Sequence, residues 1–292
     1  MFTRVLPRPL AVLALLVASA ACGPRGPRAQ APTGTFDVAQ VLAPQALAEA
    51  LVAQGGGRVE AQTSFRLTPT GTGTRGPQAV TTGTRLDVDA QGHYELDEEN
   101  DADGGRLVVF TGPEIAVKLR YGKLIKRDVR PPEPSRVRDQ ALGGPMALWE
   151  VLGSHAQVEV SESTRARHPA GFDTLTARVT FSPTATGRQG APVAASPLSA
   201  WRQTARPLAL EGRLVFAPGH NGRGPFLLEA KLEGRFSAAP SGGPQLQGEL
   251  RVQLKVEKLG QVPPIVMPEE AEPLRIGQRT VLEERALLPD RP

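Results

Sequence analysis

From Arg58 onward the chain alternates apolar and polar residues with a period of two. Val59, Ala61, Thr63, Phe65 and Leu67 interleave with Arg58, Glu60, Gln62, Ser64 and Arg66. Successive side chains of a strand point to opposite faces, so this pattern predicts a strand with one buried face. Val80, Thr82, Thr84, Leu86 and Val88 repeat it, with Arg85, Asp87 and Asp89 expected outward. Further strands are expected over His93–Asp97, Arg106–Thr111, Ile115–Arg120 and Lys123–Arg127, parted by Ala90-Gln91-Gly92, Gly112-Pro113 and Tyr121-Gly122. Tight turns between successive strands predict an antiparallel meander. A second set is expected over Gln157–Ser161, Thr174–Phe181, Leu210–Phe216, Phe226–Phe236 and Leu246–Leu259. The last is the most regular: Leu250, Val252, Leu254 and Val256 share a face opposite Arg251, Gln253, Lys255 and Glu257.

Helical spacing is confined to short stretches. Pro44 suits the first turn of a helix and Gln45–Gln54 continues it, with Leu47 and Leu51 on one face before Gly55–Gly57 stops it. Pro131, Pro132 and Pro134 end the meander, and Pro145–Leu152 predicts a second short helix with Met146, Trp149 and Leu152 on one side. Pro183–Pro207 is Ala/Pro/Ser-rich and reads as a surface loop carrying Trp201. Val262-Pro263-Pro264 halts the final strand, and Thr280–Leu288 is helix-compatible. This order predicts an α+β fold: a strongly curved antiparallel β-sheet, a half-barrel, packed against a few short helices. The expected domain runs over 36–268 with a loop insertion at 184–207, followed by a tail over 269–292. The strands lack an apolar outer band and aromatic girdles, which argues against a porin-like barrel.

Composition sharpens this in two ways. The 31 glycines and 28 prolines among 292 residues favour strands joined by turns over long helices. The net charge of +4 is carried by cations interleaved with Asp and Glu, the pattern of a solvated surface; no nucleic-acid partner is expected.

The first residues follow a different grammar. Arg4 and Arg8 precede the apolar run Leu10–Val17, too short to span a bilayer, and Ser19, Ala20 and Ala21 lead to Cys22. Residues 1–21 are therefore expected to be a signal peptide. Cys22 is the single cysteine of the chain, so no internal disulfide can form. Its place after small residues resembles the lipobox of bacterial lipoproteins, although Ser19 stands where that family most often has Leu. The resemblance implies acyl groups on Cys22 and a membrane partner through them. Residues 22–35 would be a Pro/Gly-rich tether. Gly23, in place of Asp, implies by the same resemblance an outer-membrane destination in a Gram-negative host. The alternative is an ordinary secreted protein cut nearby.

The layout also resembles the LolA/LppX-type carriers, through the opening helix with Leu47 and Leu51, the meander, and the helix around Trp149. The end resembles the family too, from Leu254 through Lys258-Leu259-Gly260 to Pro263-Pro264-Ile265 and Pro268. That family holds acyl chains between a half-open barrel and its helices. The resemblance thus implies an apolar cavity, for which Leu47, Leu51, Phe65, Leu86, Trp149, Phe226 and Val252 are the candidate lining. The other reading is a tethered envelope module with a filled core that meets another protein.

Catalytic and metal chemistry find little support. His93, His155, His168 and His220 do not pair at ligand spacing, and no nucleophile elbow or phosphate loop occurs in a strand-to-helix context. No enzyme activity and no cofactor are expected. The acidic stretch Asp97–Gly105 imitates a calcium loop at Glu99, Asp101 and Asp103, but Phe110 stands where the closing Glu belongs. A hydrated turn is expected there instead. Lys118, Arg120, Lys123, Lys126 and Arg127 could grip an anionic headgroup, or be the wet side of alternating strands.

Overall fold

The computed structural model describes residues 37–70, 76–102, 104–168, 171–185, 204–218, 224–239 and 245–275. Cys22 and its tether, Trp201, His220 and the stretch Thr280–Leu288 lie outside them. The chain opens with α1 (Val38–Leu42), where Asp37 Oδ1 accepts from Ala39 N–H at 3.0 Å. This cap starts a helix that alternation and spacing do not announce. α2 (Pro44–Ala53) follows, with Pro44 in its first turn, and buries Pro44, Leu47, Ala48 and Leu51 along one stripe.

The meander comprises β1 (Gly56–Thr70), β2 (Gln78–Asp89), β3 (Tyr94–Asn100), β4 (Arg106–Phe110), β5 (Glu114–Leu119) and β6 (Ile125–Asp128). The prolines after it do not merely end it. Pro132 caps α3 (Glu133–Leu142), a helix start being where a proline's missing N–H costs nothing. α4 (Gly144–Leu152) follows, then β7 (Ala156–Arg167), β8 (Asp173–Phe181), β9 (Ala205–Ala217), β10 (Phe226–Ala238) and β11 (Gln245–Glu257). β9 thus takes the last residues of the expected 184–207 loop. A two-residue strand, β12 (Glu272–Pro273), lies in what was expected to be tail.

Among the described residues these strands form one open, curved sheet in the order β12-β6-β5-β4-β3-β2-β1-β11-β10-β9-β8-β7. The architecture is the expected α+β half-barrel. β1 and β11 join the two strand sets, with Val59 opposite Val256, Ala61 opposite Leu254, Thr63 opposite Val252 and Phe65 opposite Leu250. The pairing is antiparallel throughout, except that β12 runs parallel to β6.

The helices cover one face, here the inner face. α4 is buried all round from Pro145 to Leu152, rather than showing one apolar side with Met146, Trp149 and Leu152. A helix apolar on every side must be enclosed on every side. Two strand glycines make room beneath this layer. A Cβ on Gly234 would overlap Leu152 Cδ1, and one on Gly248 would overlap the Phe236 ring. Phe236 therefore lies flat across β11 and stacks on Phe65 of β1, centroids 6.5 Å apart and planes at 11°.

The opposite, outer face departs from strict alternation. Asp87 and Asp89 were expected in water and are instead 9% and 0% exposed. Asp87 is held by Arg58, whose Nε and Nη2 donate to its two oxygens at 2.6 and 2.7 Å. Asp89 lies under the segment that follows β11. That segment, 261–275, runs across β4–β6 and brings Ile265, Met267 and Ala271 onto Leu107, Val109, Ala116 and Leu124. It ends on the sheet edge, where Glu272 N–H donates to Leu124 O and Leu274 N–H to Lys126 O, both at 2.9 Å. We call it the strap.

Candidate functional site

The seven residues expected to line a ligand cavity are on the inner face and its helices, but as packing. Leu47, Leu51, Leu86, Trp149, Phe226 and Val252 are all buried, the most exposed being Phe226 at 9%. Phe65 is half-buried under its stack with Phe236. They do not converge on one point. Leu47 and Leu51 belong to α2, and Val252 lies beside Gly144 at the start of α4. Phe226 meets Phe172 edge-on, at 5.8 Å.

Among the described residues, two cavities open on the outer face. The larger, about 730 Å³, is lined by Glu60, Arg85, Asp97, Glu229, Lys231 and Lys255 among others. Strand register explains its chemistry. Glu229, Lys255, Glu60, Arg85 and Asp97 are direct neighbours on β10, β11, β1, β2 and β3, so charge changes sign at each strand. Further pairs cross-link the lattice: Arg213 reaches Glu229 at 3.1 Å and Arg251 reaches Glu233 at 3.0 Å. The Lys255–Glu257 hydrogen bond, 2.6 Å long, holds the lysine above and the carboxylate below their ordinary values. Opposite charges placed directly across strands stabilise the ladder and leave little net field for a charged ligand.

The second cavity, about 570 Å³, includes Glu99, Asp101, Gly104, Lys118 and Arg120. Asp97–Asn100 are strand residues here, so Asp97 and Glu99 share one face and Glu98 the other. Asp101 Oδ1 accepts from Thr81 N–H and Asn100 Oδ1 from Ala102 N–H, each at 2.9 Å. Asp103 lies outside the described residues. Oxygens spent on the turn itself are not presented together to a cation.

The expected basic set is divided. Lys126 pairs with Glu114 at 3.3 Å and Lys123 with Glu272 at 2.5 Å; Arg127 is bound to Glu133 of α3 in a largely buried pair. Arg120 lies over the Tyr121 ring, 5.3 Å from its centroid, and Lys118 is exposed. Of these five cations, three become separate ion pairs on several elements and one lies over an aromatic ring. The three described histidines also stay apart. His93 Nδ1 is 3.2 Å from Asp89 Oδ2, while His155 stacks on Phe181 and His168 on Phe172. Burial against that ring lowers the His168 pKa.

One well-connected side chain was not singled out by spacing. Asp89 Oδ1 accepts from Gln91 N–H and His93 N–H, and Oδ2 accepts from Ile265 N–H at 3.0 Å. One carboxylate thus closes the β2–β3 turn and clasps the strap. An Asp two residues before a turn amide commonly caps it, which was the available signal. On the inner side, Tyr94 Oη donates to Pro134 O at 3.0 Å and ties β3 to α3; burial raises its pKa well above the usual phenol value.

No family model matches the chain, and no curated protein matches it. Among solved structures, it is similar to a DUF1329 family protein from Desulfovibrio piger, with 10% identity over 74% of this chain and 92% of that one, at a TM-score of 0.22. A β-barrel-like DUF1849 protein from Brucella abortus shares 12% identity over 68% and 97%, at 0.18. The MucA/MucB complex of Pseudomonas aeruginosa gives 12% over 76% and 98%, at 0.17. Scores this low carry no argument about function.

Proposed function

We propose that this chain is a non-enzymatic lipoprotein of the bacterial cell envelope. In this reading residues 1–21 are removed, acyl groups on Cys22 hold it to the membrane, and the outer membrane is its destination in a Gram-negative host. The sheet domain then acts as a tethered module that meets a protein partner. The observation favouring a module over a lipid carrier is the filled inner face. α4 is buried on all sides and seated on Gly234, and the seven candidate lining residues pack against their neighbours. A carrier of the LolA/LppX type needs that volume for acyl chains.

The anchor is tested by Cys22→Ser. Several acyl chains make release from a bilayer very slow, whereas removal of the thiol leaves nothing to acylate. The variant is expected in the unbound fraction after envelope fractionation, and retention with the vesicles would refute the anchor. Native mass spectrometry of the purified chain separates module from carrier. The expected mass is that of the chain with its own acyl groups alone. A stoichiometric second lipid would restore the carrier reading.

A further inference from the structure

We propose that the tip of the β5–β6 hairpin is a second, non-covalent contact with the membrane surface. This rests on the anchored reading above. Tyr121 is 89% exposed, the most exposed large hydrophobic side chain among the described residues; Val266 follows at 74% and Leu208 at 48%. It stands at the apex of a tight turn, where Gly122 N–H donates to Leu119 O at 2.9 Å. Arg120 stacks on its ring and Lys123, 70% exposed on its side chain, follows one residue beyond the glycine.

An aromatic ring with a polar hydroxyl, flanked by long cationic side chains, fits the headgroup layer of a bilayer. The ring enters the edge of the acyl region, the hydroxyl stays among the headgroups, and the cations reach phosphate. A core role for this ring is excluded by its exposure. The charge near the tip also suits shallow contact. Lys118 and Arg120 line one cavity with Asp97, Glu99 and Asp101, the last already engaged by Thr81 N–H, and Lys123 holds Glu272. A chain fastened by its first mature residue meets the bilayer at high local concentration, so a weak contact suffices to orient the domain.

The test uses the mature chain carrying Cys22→Ser, which removes the acyl contribution and so separates this contact from the anchor. Flotation with phosphatidylcholine vesicles containing phosphatidylglycerol is compared for this chain and for the further substitutions Tyr121→Ala, Arg120→Glu and Lys123→Ser. Near an anionic surface, Lys123→Ser, which removes one charge, is expected to weaken partition about fivefold, and the two-unit reversal in Arg120→Glu about twenty-five-fold. Tyr121→Ala is expected to weaken it on neutral and anionic vesicles alike. Tyr121→Trp supplies a readout that a merely structural residue would not move: the introduced indole should shift to the blue and be quenched by brominated lipid. Absent vesicle binding by the Cys22→Ser chain, unchanged flotation of the tip variants, or an unquenched indole would each overturn the proposal. None of these results bears on the fractionation test of Cys22.

Discussion

β11 and β5 belong to one sheet yet solve different problems. β11 alternates strictly from Gly248 to Val256, with buried positions against the helices and exposed ones in the charge lattice. In β5, Ile115, Ala116 and Val117 are buried in succession. A strand can bury consecutive residues only if both its faces are covered. On the β4–β6 side the second cover is the strap, 261–275, laid over Leu107, Val109, Ala116 and Leu124. One region of the sheet is therefore held by helices from one side alone, and the other is held like the filling of a sandwich.

The largest effect should come from breaking the helix-held region. Leu152 is fully buried and fills the space above Gly234. Truncation in Leu152→Ala loses the transfer energy and leaves a cavity under a rigid helix, costing about 2–5 kcal/mol. Urea unfolding should show this as a lower midpoint with an unchanged slope. A loss below about 1 kcal/mol would mean that the inner face is not tightly packed, and the filled-core reading would fall with it.

The strap-held region is broken through Asp89. In Asp89→Ala the amides of Gln91, His93 and Ile265 lose their acceptor, at a cost of about 2–3 kcal/mol. The location of the damage matters more than its size. Hydrogen exchange should accelerate in 106–128 and at Ala271–Leu274, while 226–257 stays protected. Uniform acceleration would show that the two regions do not open independently.

Much of this division was legible in the residues. Alternation located both strand sets, but it read β5 as a strand with a wet side at Lys118 and Arg120 and did not foresee the burial of Ala116. Helix α4 was found at its right place, but its spacing assigned only Met146, Trp149 and Leu152 to one side, whereas every residue from Pro145 to Leu152 is buried. Asp87 and Asp89 were misplaced for a related reason. Period-two reading assigns charge to water, and it cannot see an Arg58 across the strand gap or a strap returning from residue 265. The candidate ligand residues lie inward, but alternation reports only which face a side chain joins. Whether that face encloses space depends on how far the helices descend, which Gly234 and Gly248 decide through contacts distant in sequence.

A smaller effect sharpens that last point. Gly248→Ala places a methyl where the Phe236 ring lies flat, and the ring must leave Phe65 or the strand must shift. Overpacking of this kind costs about 1–3 kcal/mol. Because Phe236 carries the contact between β10 and β1 across β11, the double substitution Gly248→Ala with Phe236→Leu should recover part of the loss. Denaturation of the single and double variants checks this, and purely additive losses would show that the glycine has another role.

The smallest effect compares two depressed carboxylates. A hydrogen bond from Lys123 lowers the pKa of Glu272, and one from Lys255 lowers that of Glu257. For both, the stabilising contribution is complete above the ordinary carboxylate range of the unfolded chain and is lost as pH falls through the lowered folded value. The consequences differ because the settings differ. Glu257 ends a strand paired on both sides with β1 and β10, so its protonation should leave the register undisturbed. Glu272 belongs to a two-residue strand joined only to β6, where its exposed ion pair with Lys123 adds to two backbone hydrogen bonds. Carbon-detected titration should give both carboxylates low midpoints. Exchange at Glu272 and Leu274, corrected for intrinsic rate, should then rise on acidification while exchange in β11 does not. In Lys123→Ala the Glu272 midpoint should return toward the ordinary range and the acid dependence at the strap's end should fade. If it persisted, a titrating group other than Glu272 would be holding the strap's end, beside its backbone hydrogen bonds and the apolar contacts of Ala271 and Met267.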